Sequence, residues 1–169
     1  MARSEVEPFL SRIDGLIRDF ERFAPQDTVG IDTFRAELAG LLVVSMAASY
    51  ENCVKEVLSL YAERRHLDFH YFIDKNYERL NSRVKVSDLN RYCKLFGDQI
   101  HHSFKTNLRS RREKIDARMS KNIKTCYEQI LDWRHDYAHS AVLNTTIEEA
   151  SEFHMYGKRV IYAFADAFA

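Results

Sequence analysis

Glycine and proline are scarce in this 169-residue sequence, five and two residues respectively, so it lacks the composition of a disordered, linker-rich or collagen-like chain. It also lacks net charge: 25 basic residues face 25 acidic ones, which removes any global pull toward nucleic acid. Cysteine is sparse and odd in number. Cys53, Cys93 and Cys126 are widely spaced within helical patterns, which argues against a disulfide framework or a zinc ribbon and fits a reducing cytoplasm. No long apolar run is present. The greasiest stretch, 38–48, is broken by Gly40 and Ser45, and the opening MARSEVEPFL has no signal-peptide core, so neither a membrane span nor a secretory leader is expected. Alternating strand patterns and internal repeats are absent as well.

What the chain does contain is helical periodicity. With 46% apolar and 30% charged residues it is long enough for one compact domain, 1–169, with a substantial core. Val6, Phe9, Leu10, Ile13, Ile17 and Phe20 recur at spacings of three and four, which predicts a helix over about 4–23, ended by Ala24-Pro25. A long helix is expected from Asp32, as N-cap, to about 65, with Val43, Met46, Ala47, Tyr50, Val54, Leu58 and Tyr61 as its apolar stripe. Short helices follow over about 68–80 and, capped by Ser87, up to Gly97, separated by a polar loop at 81–85. The segment 98–119 is helical by propensity but interrupted in pattern. Ser120 is the expected cap of a helix over about 121–137 with Ile123, Tyr127, Ile130 and Leu131 as its core face. After a loop at 140–144, Thr145-Thr146-Ile147-Glu148-Glu149 offers two overlapping capping boxes for a last helix carrying Phe153, Tyr156, Val160, Ile161, Phe164 and Phe168. The expected fold is an all-α, up-and-down bundle of four to five main helices with short helical insertions.

Charge is locally uneven. Between 105 and 124 eight basic residues, among them Lys105, Arg109, Arg111, Arg112 and Lys114, face only Glu113 and Asp116. Such a run is either a solvated helix face or a surface for an anionic polymer, with RNA as the expected partner.

The densest chemistry is the hexapeptide Arg134-His135-Asp136-Tyr137-Ala138-His139 near a predicted helix end. Arginine presents a permanent, planar charge matched to phosphate, and histidine exchanges a proton near neutral pH. Five steps of 100° set Arg134 and His139 about 140° apart on an ideal helix, so the helix is expected to end or distort there if both are to reach one ligand. A helix C-terminus favours a cation in its last turn.

These residues resemble the signature of the HEPN superfamily of all-α domains: an Arg, a polar residue, three variable residues and a His near the end of the penultimate major helix. The similarity extends to the apolar lead-in Ile130-Leu131-Asp132-Trp133, the small residue before His139 and the Thr-capped final helix after a short loop. Glu51-Asn52-x-x-Lys55 is similar to an acidic and basic pair that some HEPN families carry opposite the main motif; an exposed i,i+4 ion pair is the plainer reading. The resemblance implies a metal-independent endoribonuclease, without cofactor, working as a homodimer whose motifs face each other across a cleft, in a toxin–antitoxin or phage-defence setting. It implies Arg134 and His139 as catalytic, His135 at the polar position beside them, Glu51, Lys55 and Asp136 in support, and in some members a nucleotidyltransferase-like antitoxin as partner.

Other readings use the same residues. His135 and His139, at i,i+4 spacing, present two imidazoles to one side as in helical zinc sites, with Asp132 or Asp136 as an oxygen ligand. His101-His102 is a more distant metal candidate, and Trp133 and Tyr137 read as core or interface packing. The bundle also suits a catalytically silent module that binds RNA or a nucleotide.

Overall fold

The computed structural model of the chain describes residues 2–77, 80, 83–140 and 144–169. Among them lie seven helices and no strand: α1 (Ala2–Phe23), α2 (Asp32–Glu63), α3 (Leu67–Tyr77), α4 (Val86–Leu95), α5 (Asp98–Met119), α6 (Ile123–Ser140) and α7 (Ile147–Ala167). The all-α expectation holds, with α3 and α4 as the short insertions. Part of the expected loops, residues 81, 82 and 141–143, lies outside the described residues.

Several helices differ from the sequence reading at their caps or in continuity. Asp32 is not the cap of α2: Ile31 occupies that position without a side-chain bond, and Asp32 sits inside the first turn, where a carboxylate still favours the helix dipole. Ser87 is likewise inside α4. The chain turns into that helix at Lys85, whose N–H donates to the Asp88 carboxylate at 3.2 Å. The segment 98–119 is one uninterrupted helix. Ser120 closes it in a left-handed conformation, φ 51° and ψ 35°, and the cap of α6 is Asn122, whose side-chain oxygen accepts from Lys124 N–H at 3.0 Å. Helix α7 starts as expected, with Thr146 Oγ1 accepting from Glu149 N–H at 3.2 Å and Thr145 Oγ1 donating to the Glu149 carboxylate at 2.7 Å.

Packing centres on α2 and α7, which run parallel: Arg35 pairs with Glu148, Tyr50 with His154, and Tyr61 meets Phe168. Helix α1 runs antiparallel to α7 through Arg3–Asp166, Glu7–Tyr162 and Asp14–Lys158 contacts. Helix α6 is antiparallel to both α2 and α7. Trp133 packs on Phe153 with ring centroids 4.9 Å apart, and Tyr127 stacks on Tyr50 at the same distance. Gly157 makes this approach possible, since a Cβ there would stand 3.1 Å from the Tyr127 backbone. Helix α5 crosses the C-terminal half of α7, with Phe104 edge-on to Phe164. Most predicted stripe residues are fully buried, including Val6, Leu10, Ile13, Met46, Tyr50, Leu58, Tyr127, Ile130, Val160, Ile161 and Phe164. Each such aliphatic or Phe side chain contributes roughly 1.5–3 kcal/mol by leaving water.

Candidate functional site at the end of helix α6

Helix α6 does not stop near Tyr137. It stays helical through Ser140, so the whole hexapeptide lies on regular helix. The extra turn has tertiary support: the Tyr137 ring lies across Gly40 of α2, so close that a Cβ there would sit 2.3 Å from it. The Tyr137 hydroxyl donates to Glu37 at 2.9 Å, and this bond raises the phenol above its ordinary pKa. No sequence pattern flagged Gly40 and Glu37 as the shelf for this ring, because the pairing spans about a hundred residues.

Arg134 is half-buried, whereas His135, Asp136, Ala138 and His139 are exposed. Regular helix keeps Arg134 and His139 about 140° apart, so one copy does not converge them on a single point. His135 and His139, only 40° apart by the same geometry, do come together, with ring centroids 4.4 Å apart. Asp132, on this outward side, is ion-paired to Lys85 at 2.8 Å. No group of three or more His, Cys, Asp or Glu side chains poised for a metal is found among the described residues. His101 is half-buried and His102 exposed on α5.

The supporting residues lie elsewhere. Gly40 under Tyr137 and Tyr50 against Tyr127 fix the register of α2 on α6. That register sets Arg134 level with Val43, and half-buried Glu51 about 12 Å farther along the axis, where its charge acts on Tyr127. Lys55 lines a shallow cleft with Ser59, Asp74 and Tyr77. The α5 cations divide between two sides of their helix. Lys105, Arg109 and Arg112 are exposed, Arg109 being paired with Glu113 at 2.8 Å. Arg111 and Lys114 turn instead toward a cleft with Arg3 and Asp166.

A second polar group, unforeseen in the sequence, is buried mid-bundle. His154, 1% exposed, bonds Tyr50 Oη through Nδ1 at 2.9 Å, and its Nε2 stands 3.6 Å from Asp14, which Lys158 also holds at 2.9 Å. Burial lowers the His154 pKa despite Asp14, and the His154 ring with the Lys158 ammonium holds the Asp14 carboxyl down to about 2. The three cysteines are buried. Burial pushes the Cys93 thiol up to about 12 and raises Cys53 and Cys126 too, so none is a ready thiolate nucleophile.

A family model described as RiboL-PSP-HEPN matches residues 10–169. No curated protein and no solved structure matches the chain.

Proposed function

Because the chain belongs to the RiboL-PSP-HEPN family, we propose that it is an endoribonuclease whose site is built from Arg134 and His139 of two copies. The observation that carries this reading is the hexapeptide at the end of α6, with half-buried Arg134 and exposed His135 and His139, held by Tyr137 on Gly40, in a chain that matches the family over 160 of its residues. In this mechanism His139 removes the proton of a ribose 2′-hydroxyl or delivers one to the leaving 5′-oxygen, and Arg134 neutralises charge on the attacked phosphate. The 2′-oxygen forms its bond to phosphorus as the bond to the 5′-oxygen breaks. One product then ends in a 2′,3′-cyclic phosphate and the other in a 5′-hydroxyl, with no metal in any step. His135, in contact with His139, orients it or binds phosphate, and Asp136 supports the cluster.

The 140° between Arg134 and His139 is the physical reason to invoke a second copy: the Arg of one protomer and the His of its partner would meet across the cleft. Phe34 and Leu41, both about half exposed, lie on α2 beside the Tyr137 shelf and would furnish apolar contact area there. Exposed Lys105, Arg109 and Arg112 would add long-range attraction for RNA. Glu51 and Lys55 would act only indirectly in this arrangement. A toxin or defence role with a nucleotidyltransferase-like antitoxin is the setting we propose.

The test is cleavage of single-stranded RNA by the purified chain in EDTA, with sedimentation to establish the dimer. Arg134→Ala and His139→Ala should each abolish cleavage, and mixing the two inactive variants should restore part of it, since each heterodimer retains one complete pair. Unchanged activity in both variants sinks the assignment. The close His135–His139 pair favours a metal site as the second reading, which gains if EDTA stops cleavage and zinc restores it. RNA that is bound but never cut would point to a silent binding module.

A further inference from the structure

One side of α7 is left uncovered by its neighbours. Counting from Phe153, which meets α6, Arg159 and Asp166 stand about 240° and 220° around the helix, facing away from α6 into the gap between α1 and α5. That gap is a cleft of about 390 Å³ whose lining includes five cations, Arg3, Arg111, Lys114, Arg118 and Arg159, and a single carboxylate, Asp166.

The one carboxylate is already engaged. Asp166 accepts a two-pronged pair from Arg3, with both distances 2.9 Å, and a further bond from Arg111. Lys114, Arg118 and Arg159 form no ion pair with any described residue, and the Nε donor of Arg159 is buried without a hydrogen-bond partner among them. With no carboxylate paired to Lys114, Arg118 or Arg159, the cleft carries more positive than negative charge, the electrostatic condition for holding an anion. The cleft has too little apolar lining for a greasy ligand, and guanidinium forks fit phosphate oxygens two at a time.

We infer that this cleft is a binding site for a small polyphosphate anion, a chain of two or three phosphates each carrying about one to two negative charges. Three uncompensated cations match that charge, and the concave, bounded shape suits a compact ligand more than a running RNA strand. The site is independent of the RNA-cleavage reading, since it opens on the face of α7 opposite the motif helix.

Calorimetric titration of the full chain with inorganic tripolyphosphate tests the inference. Saturable one-to-one binding is expected, and the exposed pair K114Q/R118Q and the single variant R159Q should each weaken it by about tenfold or more. The exposed pair K75Q/K94Q, which removes the same charge elsewhere, should leave it unchanged. A nucleoside triphosphate that binds equally well assigns recognition to the phosphate chain alone, and tighter binding adds a base contact; both uphold the site. Circular dichroism checks each variant, and K114Q/R118Q carries the test should R159Q not fold. Absence of saturable binding, or equal loss in K75Q/K94Q, overturns the proposal. So does an RNA oligonucleotide that depends on Lys114 and Arg118 while tripolyphosphate fails to bind.

Discussion

The middle of the bundle and the end of α6 each hold histidine chemistry, in opposite states. At mid-bundle His154 is enclosed by α1, α2 and α7, with Tyr50 on one nitrogen and Asp14 facing the other. Nδ1 shares a hydrogen bond with the Tyr50 hydroxyl, and burial disfavours the charged ring. At the end of α6, His135 and His139 meet with ring centroids 4.4 Å apart and are exposed. A buried imidazole is stabilised by giving up its freedom to exchange protons with a ligand. The imidazoles at the end of α6 stand outside the core, where a ligand can reach them.

The largest effect that sharpens this contrast is on activity. Arg134→Ala and His139→Ala should each lower RNA cleavage by about 10²–10⁴-fold, with melting temperatures close to the parent. A large drop in melting temperature would place these residues with the structural group instead.

The strongest stability effect should come from Gly157→Val, which forces α6 off α7 where the Tyr127 backbone approaches. A loss of roughly 1–3 kcal/mol or more is expected in urea unfolding, and a neutral result would mean the helices can slide apart freely. His154→Leu should follow at about 1–3 kcal/mol, since the Tyr50 hydroxyl loses its hydrogen-bond partner in a dry site, with RNA cleavage per folded molecule retained.

The pH profile separates the two groups again. His154 has a folded pKa below its unfolded value near 6.5, so its contribution is present above about pH 6.5 and is lost as pH falls below that. Asp14, down at about 2 when folded, adds stability above about pH 4 that disappears as pH approaches 2. Chemical unfolding from pH 8 to 4 should therefore show falling stability below pH 6.5 that His154→Leu flattens. The smallest effect is Gly40→Ala, which displaces the half-buried Tyr137 ring and its bond to Glu37 at a cost of about 1 kcal/mol or less. Its reading is a reduced cleavage rate, and an unchanged rate would show that the Tyr137 shelf does not position the motif.

Much of the fold was legible because burial repeats along a helix every three to four residues: the stripes of α1, α2, α6 and α7 became the core. The caps were less legible. Ser, Asp and Thr all suit an N-cap, and choosing among Ser120, Lys121 and Asn122 depends on whether α5 needs a left-handed residue to end it. The candidate site was legible as a motif, Arg134 to His139, but its geometry was not. The expected break near Tyr137 is absent because Gly40, distant in sequence, provides a seat for the next turn. The six Lys and Arg residues of α5 looked alike as a run, yet packing sends Arg111, Lys114 and Arg118 one way and Lys105, Arg109 and Arg112 another.

The sequence by itself determined the class of fold, the order of the helices and the family, since periodicity and motif spacing are local properties of the chain. Only the tertiary structure decided that His154 is buried and His139 exposed, and that Arg159 faces a charged cleft opposite the motif. Those outcomes depend on which helix covers which side of α7, and that is set by contacts between residues a hundred or more positions apart.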